Sequence, residues 1–545
     1  MTKFPFLFLL ILLLTAPALL LGQQELPTGE VDVIRSFNAR LMETKKFDLQ
    51  PELPPVDTMT KRQQYNITGR PMNIDYPAPR IRPVALRPEA NPEMYPGFAR
   101  LGGGFPRLLY AEGSYTLVNN DKFLMDVDLL HRSANNTNNV ENQRFGYTDA
   151  GLEGTYFHDM GFAIKGHAGY TQDNVFYYGY NNVPRDTSEA PLSFAADDVR
   201  QSFKTIALGG EIFNSKPTQA DFNYSGKFDF YNLQDNYAAR ENGFDLQLQG
   251  TKWFQEEQAL RVLFRTDFTG YRDTSKQSLN NFFLNPSFTY HGDVFRAKVG
   301  ANIANSDDEF FFFPDVEVAV NVIENILSAF AGAEGSLQKN NFKNLSDYNP
   351  FINSRPDLRN TSYTHFYGGI NGELLGADYQ AQAGYKRAND LALYLANEDT
   401  IPRFNVRYDT VDIFTIKGSL TMPLFEGFNL TGAIAQNFYS PKNEEKAWHL
   451  PALDVNVGAT YLTLGEKLSL RADLFIQNGV PFKDEKGEAG NLNALLDLSA
   501  GAEYFFTENI GAFAKVNNIL DNKRERWQYY PVLGLNAMAG ISARF

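Results

Sequence analysis

Cysteine is absent from the 545 residues, so no disulfide framework, thiolate metal site or cysteine nucleophile can be built. Histidine is scarce. His131, His158, His167, His291, His365 and His449 stand singly, with no HxxxH or HExxH pair, and a zinc site has no support. No GxSxG elbow, phosphate-cradling loop or dinucleotide fingerprint occurs, and no nucleophile–base pair can be named. The expectation is a non-enzyme without cofactor or metal. Basic residues are outnumbered 50 to 64, for a formal charge of −14, which lacks the footprint of a nucleic-acid binder. Beyond residue 22 there is no run of 18 apolar residues, and a mean hydropathy of −0.35 excludes a bundle of membrane-spanning helices.

Aromatic residues are plentiful instead: 45 Phe, 28 Tyr and 3 Trp, 14% of the chain. Residues 1–22 place one basic residue (Lys3) before a largely apolar run ending near Gly22, the layout of a secretory signal peptide. Pro17 within the run and the polar stretch after it favour cleavage over a retained anchor. With no Cys after the run, a lipoprotein is excluded. From residue 23 to about 107 lie 12 of the 27 prolines, which remove backbone donors and preclude a regular sheet or long helix. Residues 23–95 therefore read as a Pro-rich periplasmic leader with one short helix, Val33 to Leu41. It is either a linker or a strap that fills a barrel mouth or binds a periplasmic or outer-membrane partner.

From about residue 108 the texture becomes alternating, and residues 96–545 read as one barrel domain. Phe222, Tyr224, Gly226, Phe228 and Phe230 point one way, and Asn223, Ser225, Lys227 and Asp229 the other. Leu260, Val262, Phe264 and Phe268 oppose Arg261, Arg265 and Asp267; Leu468, Leu470, Leu474 and Ile476 oppose Arg471 and Asp473. Side chains switch faces at each residue of a strand, so every segment has an apolar and a polar face. The segments exceed the five or six residues usual in soluble domains. Aromatics near their ends (Trp253, Phe310 to Phe313, Trp448, Trp527, Tyr529, Tyr530) suit an interfacial girdle. Apolar faces outward and polar faces inward predict an all-β transmembrane antiparallel barrel, closed so that no backbone group is orphaned in lipid.

Short turns alternate with longer polar loops, at about 134–146, 172–200, 230–242, 271–278, 340–362, 390–408, 439–450, 478–492 and 520–529, with one short exception at Ser306–Glu309. This parity predicts about 22 strands (range 20–24), provided that a rising strand occupies Gly97–Gly104. The glycine run Gly102-Gly103-Gly104 also reads as a bend. Short turns belong in the periplasm and long loops outside. In the final strand Leu535, Ala537, Ala539, Ile541, Ala543 and Phe545 face out, and a terminal Phe545 resembles the signal read by the outer-membrane barrel assembly machinery.

The last segment, from Phe513 through Asn518-Ile519-Leu520-Asp521 to Phe545, resembles the closing hairpin of TonB-dependent receptors. In that family an Asn-(Leu/Ile)-x-Asp turn of this kind precedes the final strand. The whole chain is similar to TonB-dependent receptor-like barrels of the Bacteroidota. The resemblance implies a 22-stranded outer-membrane barrel of a Gram-negative bacterium, bathed in outer-membrane lipid and active in transport. It also exposes a departure: residues 23–95 are too few and too proline-broken for the family's N-terminal plug, so a plug-less, porin-like barrel is expected. Lys227, Asp229, Arg261, Arg265, Asp267, Arg471 and Asp473 would face its lumen, where they set selectivity or pair across strands to stiffen the wall. The acidic tip Ser306-Asp307-Asp308-Glu309 is either a cation site or a solvated turn. Asp57-Thr58-Met59, Asp399-Thr400-Ile401 and Asp409-Thr410-Val411 match a short O-glycosylation sequon. The expected function is transport of small solutes through a passive or partner-gated channel. The alternative is a non-conducting barrel subunit or scaffold of a multi-protein outer-membrane complex.

Overall fold

A computed structural model describes residues 95–185, 190–255, 257–324, 326–397 and 399–545. The expected signal peptide, nearly all of the leader with its helix, and Asp57-Thr58-Met59 lie outside the described residues. The alternating segments become one antiparallel sheet of 22 strands among the described residues, each strand paired to its sequence neighbour. The first strand, Gly97–Phe105, pairs with the last, Asn536–Arg544, and closes the ring. Closure pairs every strand on both sides, so no edge is left with unsatisfied N–H and C=O groups.

Period-two alternation sets the two faces. Phe228, Phe230, Leu248, Val262 and Phe264 are exposed on the outside, while inside Lys227 pairs with Asp229, whose other oxygen meets His167. Phe312, 74% exposed, belongs to the same outer belt. An apolar surface this extensive matches hydrocarbon and not water. The glycine run is strand, not bend. A Cβ on Gly104 would meet the Ala537 carbonyl oxygen at 1.9 Å, and one on Gly540 the Leu101 carbonyl oxygen at 2.1 Å. These glycines let the closing strands approach.

Turns and loops keep the expected parity. One rim carries tight connections, such as 158–161, 375–376 and 426–427; the other carries 177–199, 341–358, 442–452, 479–494 and 518–535. Two loops are far shorter than their polarity suggests. The seventh strand runs to Asp235 and the eighth starts at Arg240, leaving 236–239 in place of 230–242; likewise 271–278 shrinks to 273–275. The sheet continues past the apolar belt, where polar strand residues such as Asp235 and Arg240 stand beside buried Leu233 and Tyr271. Asp307 and Asp308 form a two-residue turn with φ of 50° and 66°, the left-handed geometry that a tight hairpin requires.

Candidate functional site: the loop cap and the charged wall

The long-loop rim is roofed by its own connections. Tyr177, Tyr178 and Tyr180 come from the loop after the fifth strand (Phe162–Phe176), and Phe342, Leu345, Phe351 and Ile352 from the loop after the thirteenth (Leu327–Asn340). Phe404 opens the sixteenth strand (Phe404–Phe425), and Trp527 and Tyr530 sit in the last loop. All are buried in one apolar cluster. In a ring of 22, the loops 177–199 and 397–403 leave the rim ten strands apart, almost diametrically opposed. Strands about 4.8 Å apart and tilted by about 40° give a ring about 40 Å across. Direct contact between these loops therefore requires that they span the mouth.

The contacts are specific. The Phe351 and Tyr530 rings stack with centroids 3.8 Å apart, and Tyr178 meets Tyr530 edge-on at 5.1 Å. The Arg403 guanidinium lies over Tyr177 at 4.5 Å and over Tyr237 at 4.8 Å. Three buried tyrosine hydroxyls find acceptors: Tyr178 donates to the Pro531 carbonyl at 2.8 Å, Tyr177 to Ile352 at 3.3 Å, and Tyr530 to Pro402. Burial pushes the Tyr530 hydroxyl well above its ordinary range, so it stays a neutral donor. The expected girdle is corrected here. Trp448, Trp527 and Tyr530 are 1%, 3% and 1% exposed and pack inside the cap, whereas Phe310 and Phe312 face outward. Aromatic residues fit either place, and density of aromatics within long loops is the signal that separates them.

Two polar groups pin the cap to the wall. Glu241, fully buried at the top of the eighth strand (Arg240–Phe254), accepts from the Phe342 N–H at 2.7 Å, the Asn341 side chain at 2.9 Å and the Tyr231 hydroxyl at 2.8 Å. It thereby satisfies the first turn of the helix Phe342–Tyr348, which Asn341 also caps. In the last loop, Asn518 donates to the Asn522 and Leu533 carbonyls at 2.8 Å each, and Asp521 accepts from the Leu535 N–H at 2.8 Å. The Asn-Ile-Leu-Asp motif is thus a clasp for the loop ends.

His449, in the connection 442–452, donates from Nδ1 to the Tyr394 carbonyl at 2.6 Å, leaving Nε2 to accept from the Gln528 N–H at 3.4 Å. Both nitrogens are used by the neutral ring. A second proton would face a donor. Burial, with Arg526 nearby, pushes its pKa down to about 4, whereas the unfolded loop titrates near 6.5. Between those values the unfolded cap binds the extra proton, so stability is present above pH 6.5 and lost as pH falls to about 4. The loss expected is about 3 kcal/mol. Urea unfolding followed by tryptophan fluorescence should show a lower cap midpoint at pH 4 than at pH 7, with the difference shrinking in His449→Gln. Equal midpoints in the native chain would contradict this role.

Of the wall residues expected from sequence, all except Arg261 meet an opposite charge. Lys227 pairs with Asp229 at 2.9 Å, Arg471 with Asp473 at 2.7 Å, and Arg265 with Asp245 at 2.6 Å and Asp267 at 3.2 Å. Arg261 donates to Gln249 at 2.5 Å. Lys339, four strands away, reaches Asp267 at 2.5 Å, a partner that no local pattern announces. Further unforeseen pairs join Arg100 to Glu112 on the next strand and, across the barrel seam, to Glu503. Asp409 is an anchor within its sequon, accepting from the Asn443 and Glu444 N–H groups. Asp267→Ala strands the mostly buried Lys339 ammonium and should cost about 3 kcal/mol. Arg471→Ala, in an exposed pair, should cost under about 1 kcal/mol. Urea midpoints of the purified barrels give the comparison, and equal losses would refute the distinction.

No family model matches the chain, and no curated protein matches it by sequence. Solved structures do match its fold. The FrpB iron transporter from Neisseria meningitidis gives a TM-score of 0.65 at 9% identity, covering 83% of this chain and 82% of that one. The ferric-catecholate import receptor Fiu from Escherichia coli gives 0.64 at 8% identity, covering 83% and 82%. The pyoverdine outer membrane receptor FpvA from Pseudomonas aeruginosa gives 0.62 at 11% identity, covering 83% and 78%. At these identities the chain is similar to these receptors in the fold of its 22-stranded barrel.

Proposed function

We propose that this chain is an outer-membrane barrel that takes part in transport of small solutes, its mouth gated by its own loops. The observation that carries this reading is the aromatic core shared by loops from opposite sides of the ring. A permanently open passive channel has no use for such a roof, so the partner-gated form of the channel is favoured. The gate is then the loop cap and not a separate plug domain, with residues 23–95 in the periplasm as the stretch through which a partner acts. Similarity in fold to proteins described as an iron transporter, a ferric-catecholate import receptor and an outer membrane receptor supports both the membrane and the transport parts. The paired wall charges favour a stiff wall over a selectivity track, with Arg261 left as the selectivity candidate.

A cap that never opens gives the second reading, a non-conducting subunit of an envelope complex, and the same packed core favours it. Planar-bilayer recording of the full-length protein in rising urea separates the two. Loops open at lower denaturant than the sheet, so a capped channel should be silent without urea and show ohmic steps before the barrel unfolds. Silence up to barrel unfolding would overturn the channel and support the scaffold.

A further inference from the structure

Charges at the long-loop ends of five neighbouring strands are sorted by face. These are the sixth strand (Arg200–Asn214), the seventh (Phe222–Asp235), the eighth (Arg240–Phe254), the ninth (Gln258–Arg272) and the tenth (Lys276–His291). Carboxylates there turn inward to the roof: Asp235 accepts from the Ser354 hydroxyl at 2.7 Å and Glu241 from the Phe342 N–H at 2.7 Å. The cations turn outward. Lys204 stands opposite Gln234, Gln234 opposite Arg240, Arg240 opposite Arg272, and Arg272 opposite Lys276. With no register shift between them, these five side chains form one row on the outer face. All five are exposed, and none of the four cations has a carboxylate partner among the described residues. Like charges directly opposite on neighbouring strands repel, so Arg240, Arg272 and Lys276 lack a counter-charge. Elsewhere on the outer face the charge is answered: Arg387, in line with exposed Tyr385 and Phe414, has Asp412 at 2.7 Å.

Below the row the chemistry changes in order. Two residues nearer the belt stand the amides Asn232 and Asn242, opposite each other and bonded at 2.7 Å. Two residues further come Phe230, Phe244 and Phe268, again opposite one another, the last two stacked at 6.5 Å. Four strand residues rising about 3.4 Å each, at a tilt of about 40°, put the cations about 10 Å above the aromatic row along the barrel axis. That is headgroup depth in a bilayer. A soluble acidic protein would leave the apolar row unused, and a free anion would leave both lower rows unused. A phosphorylated glycolipid uses all three: acyl chains against the phenylalanines, sugar hydroxyls at the amides, and phosphate among Arg240, Arg272 and Lys276. We propose that this outer face binds the phosphorylated headgroup of an outer-leaflet glycolipid. The site rests on the outer-membrane reading with the long loops outward, and not on whether the lumen conducts.

Native mass spectrometry of the full-length protein in detergent tests it, with lipid A carrying two phosphates, one or none as the probe. The phosphorylated forms should bind saturably and at least tenfold more tightly than the dephosphorylated one, and inorganic phosphate in large excess should not displace them. Arg240→Gln, Arg272→Gln and Lys276→Gln in one chain should weaken the phosphorylated forms at least tenfold. Because mutual repulsion is removed, that variant should keep its heat-shifted mobility and melt no lower than the native barrel without lipid. Arg387→Gln with Asp412→Asn, elsewhere on the same face, should leave binding unchanged. Equal binding of the dephosphorylated lipid, displacement by inorganic phosphate, or undiminished binding by the triple variant would overturn the proposal. A chain soluble without detergent would overturn the outer-membrane reading as well, whereas a detergent-held barrel indifferent to lipid phosphate overturns this site alone.

Discussion

Replacing Phe351 and Tyr530 together by alanine is expected to convert a nearly silent barrel into a conducting one. The two rings stack at 3.8 Å and join the loop 341–358 to the last loop, and Tyr530 also receives the edge of Tyr178 from the fifth strand's loop. Truncating one buried aromatic costs about 3–5 kcal/mol through lost transfer energy and an unfilled cavity. The pair sits where three loops meet, so the loss is shared by all of them. Because the barrel is held by its own ladder of backbone bonds, the variant should keep its heat-shifted mobility while the roof comes apart. Single-channel recording should then show steps at least tenfold larger or more frequent than in the native chain. An intact barrel that stays silent would mean that something other than the loops closes the lumen.

Glu241→Ala carries the second large expectation. The carboxylate is fully buried and holds the Phe342 N–H at 2.7 Å and the Lys343 N–H at 3.2 Å, as well as Asn341 and Tyr231. Alanine leaves these donors buried and unpaired, at about 1–3 kcal/mol each where water cannot enter. A total of about 4 kcal/mol would raise the open population of the loop about a thousandfold. Trypsin can read this at Lys343, since cleavage follows the open fraction when reclosing is fast. Cleavage within 341–358 should rise a hundredfold or more with the barrel core still resistant. An unchanged rate would show that Glu241 is incidental to the cap. Glu241→Gln keeps one acceptor oxygen and should fall between.

Strand positions and parity were legible because each strand's alternation is local: Lys227 and Asp229 announce the inner face without knowledge of any partner. Strand ends were not, since the sheet runs on above the apolar belt where Asp235 and Arg240 look like loop residues. The roof was hidden for a different reason. Trp448, Trp527 and Tyr530 carry the composition of an interfacial girdle, and only the meeting of segments far apart in the chain decides that they are buried, Trp448 against Leu393 and Trp527 and Tyr530 in the aromatic core of the roof. The same holds for Lys339 and Asp267, whose contact depends on the curvature of the ring. The closing motif was legible as a resemblance; its clasp chemistry, with Asn518 reaching Leu533 and Asp521 reaching Leu535, depends on how the loop folds back on its own start.

The absence of cysteine allows the roof to be tested in place. Asn182, in the loop after the fifth strand, donates to the Tyr529 carbonyl of the last loop at 2.9 Å, although their strands leave the rim far apart. With Asn182→Cys and Tyr529→Cys in one chain, mild oxidation in intact membranes should form an intramolecular disulfide in most molecules, visible as a mobility shift reversed by reductant. Two thiols that stay free, or that link only between different molecules, would mean that the loops stand apart and the mouth is open.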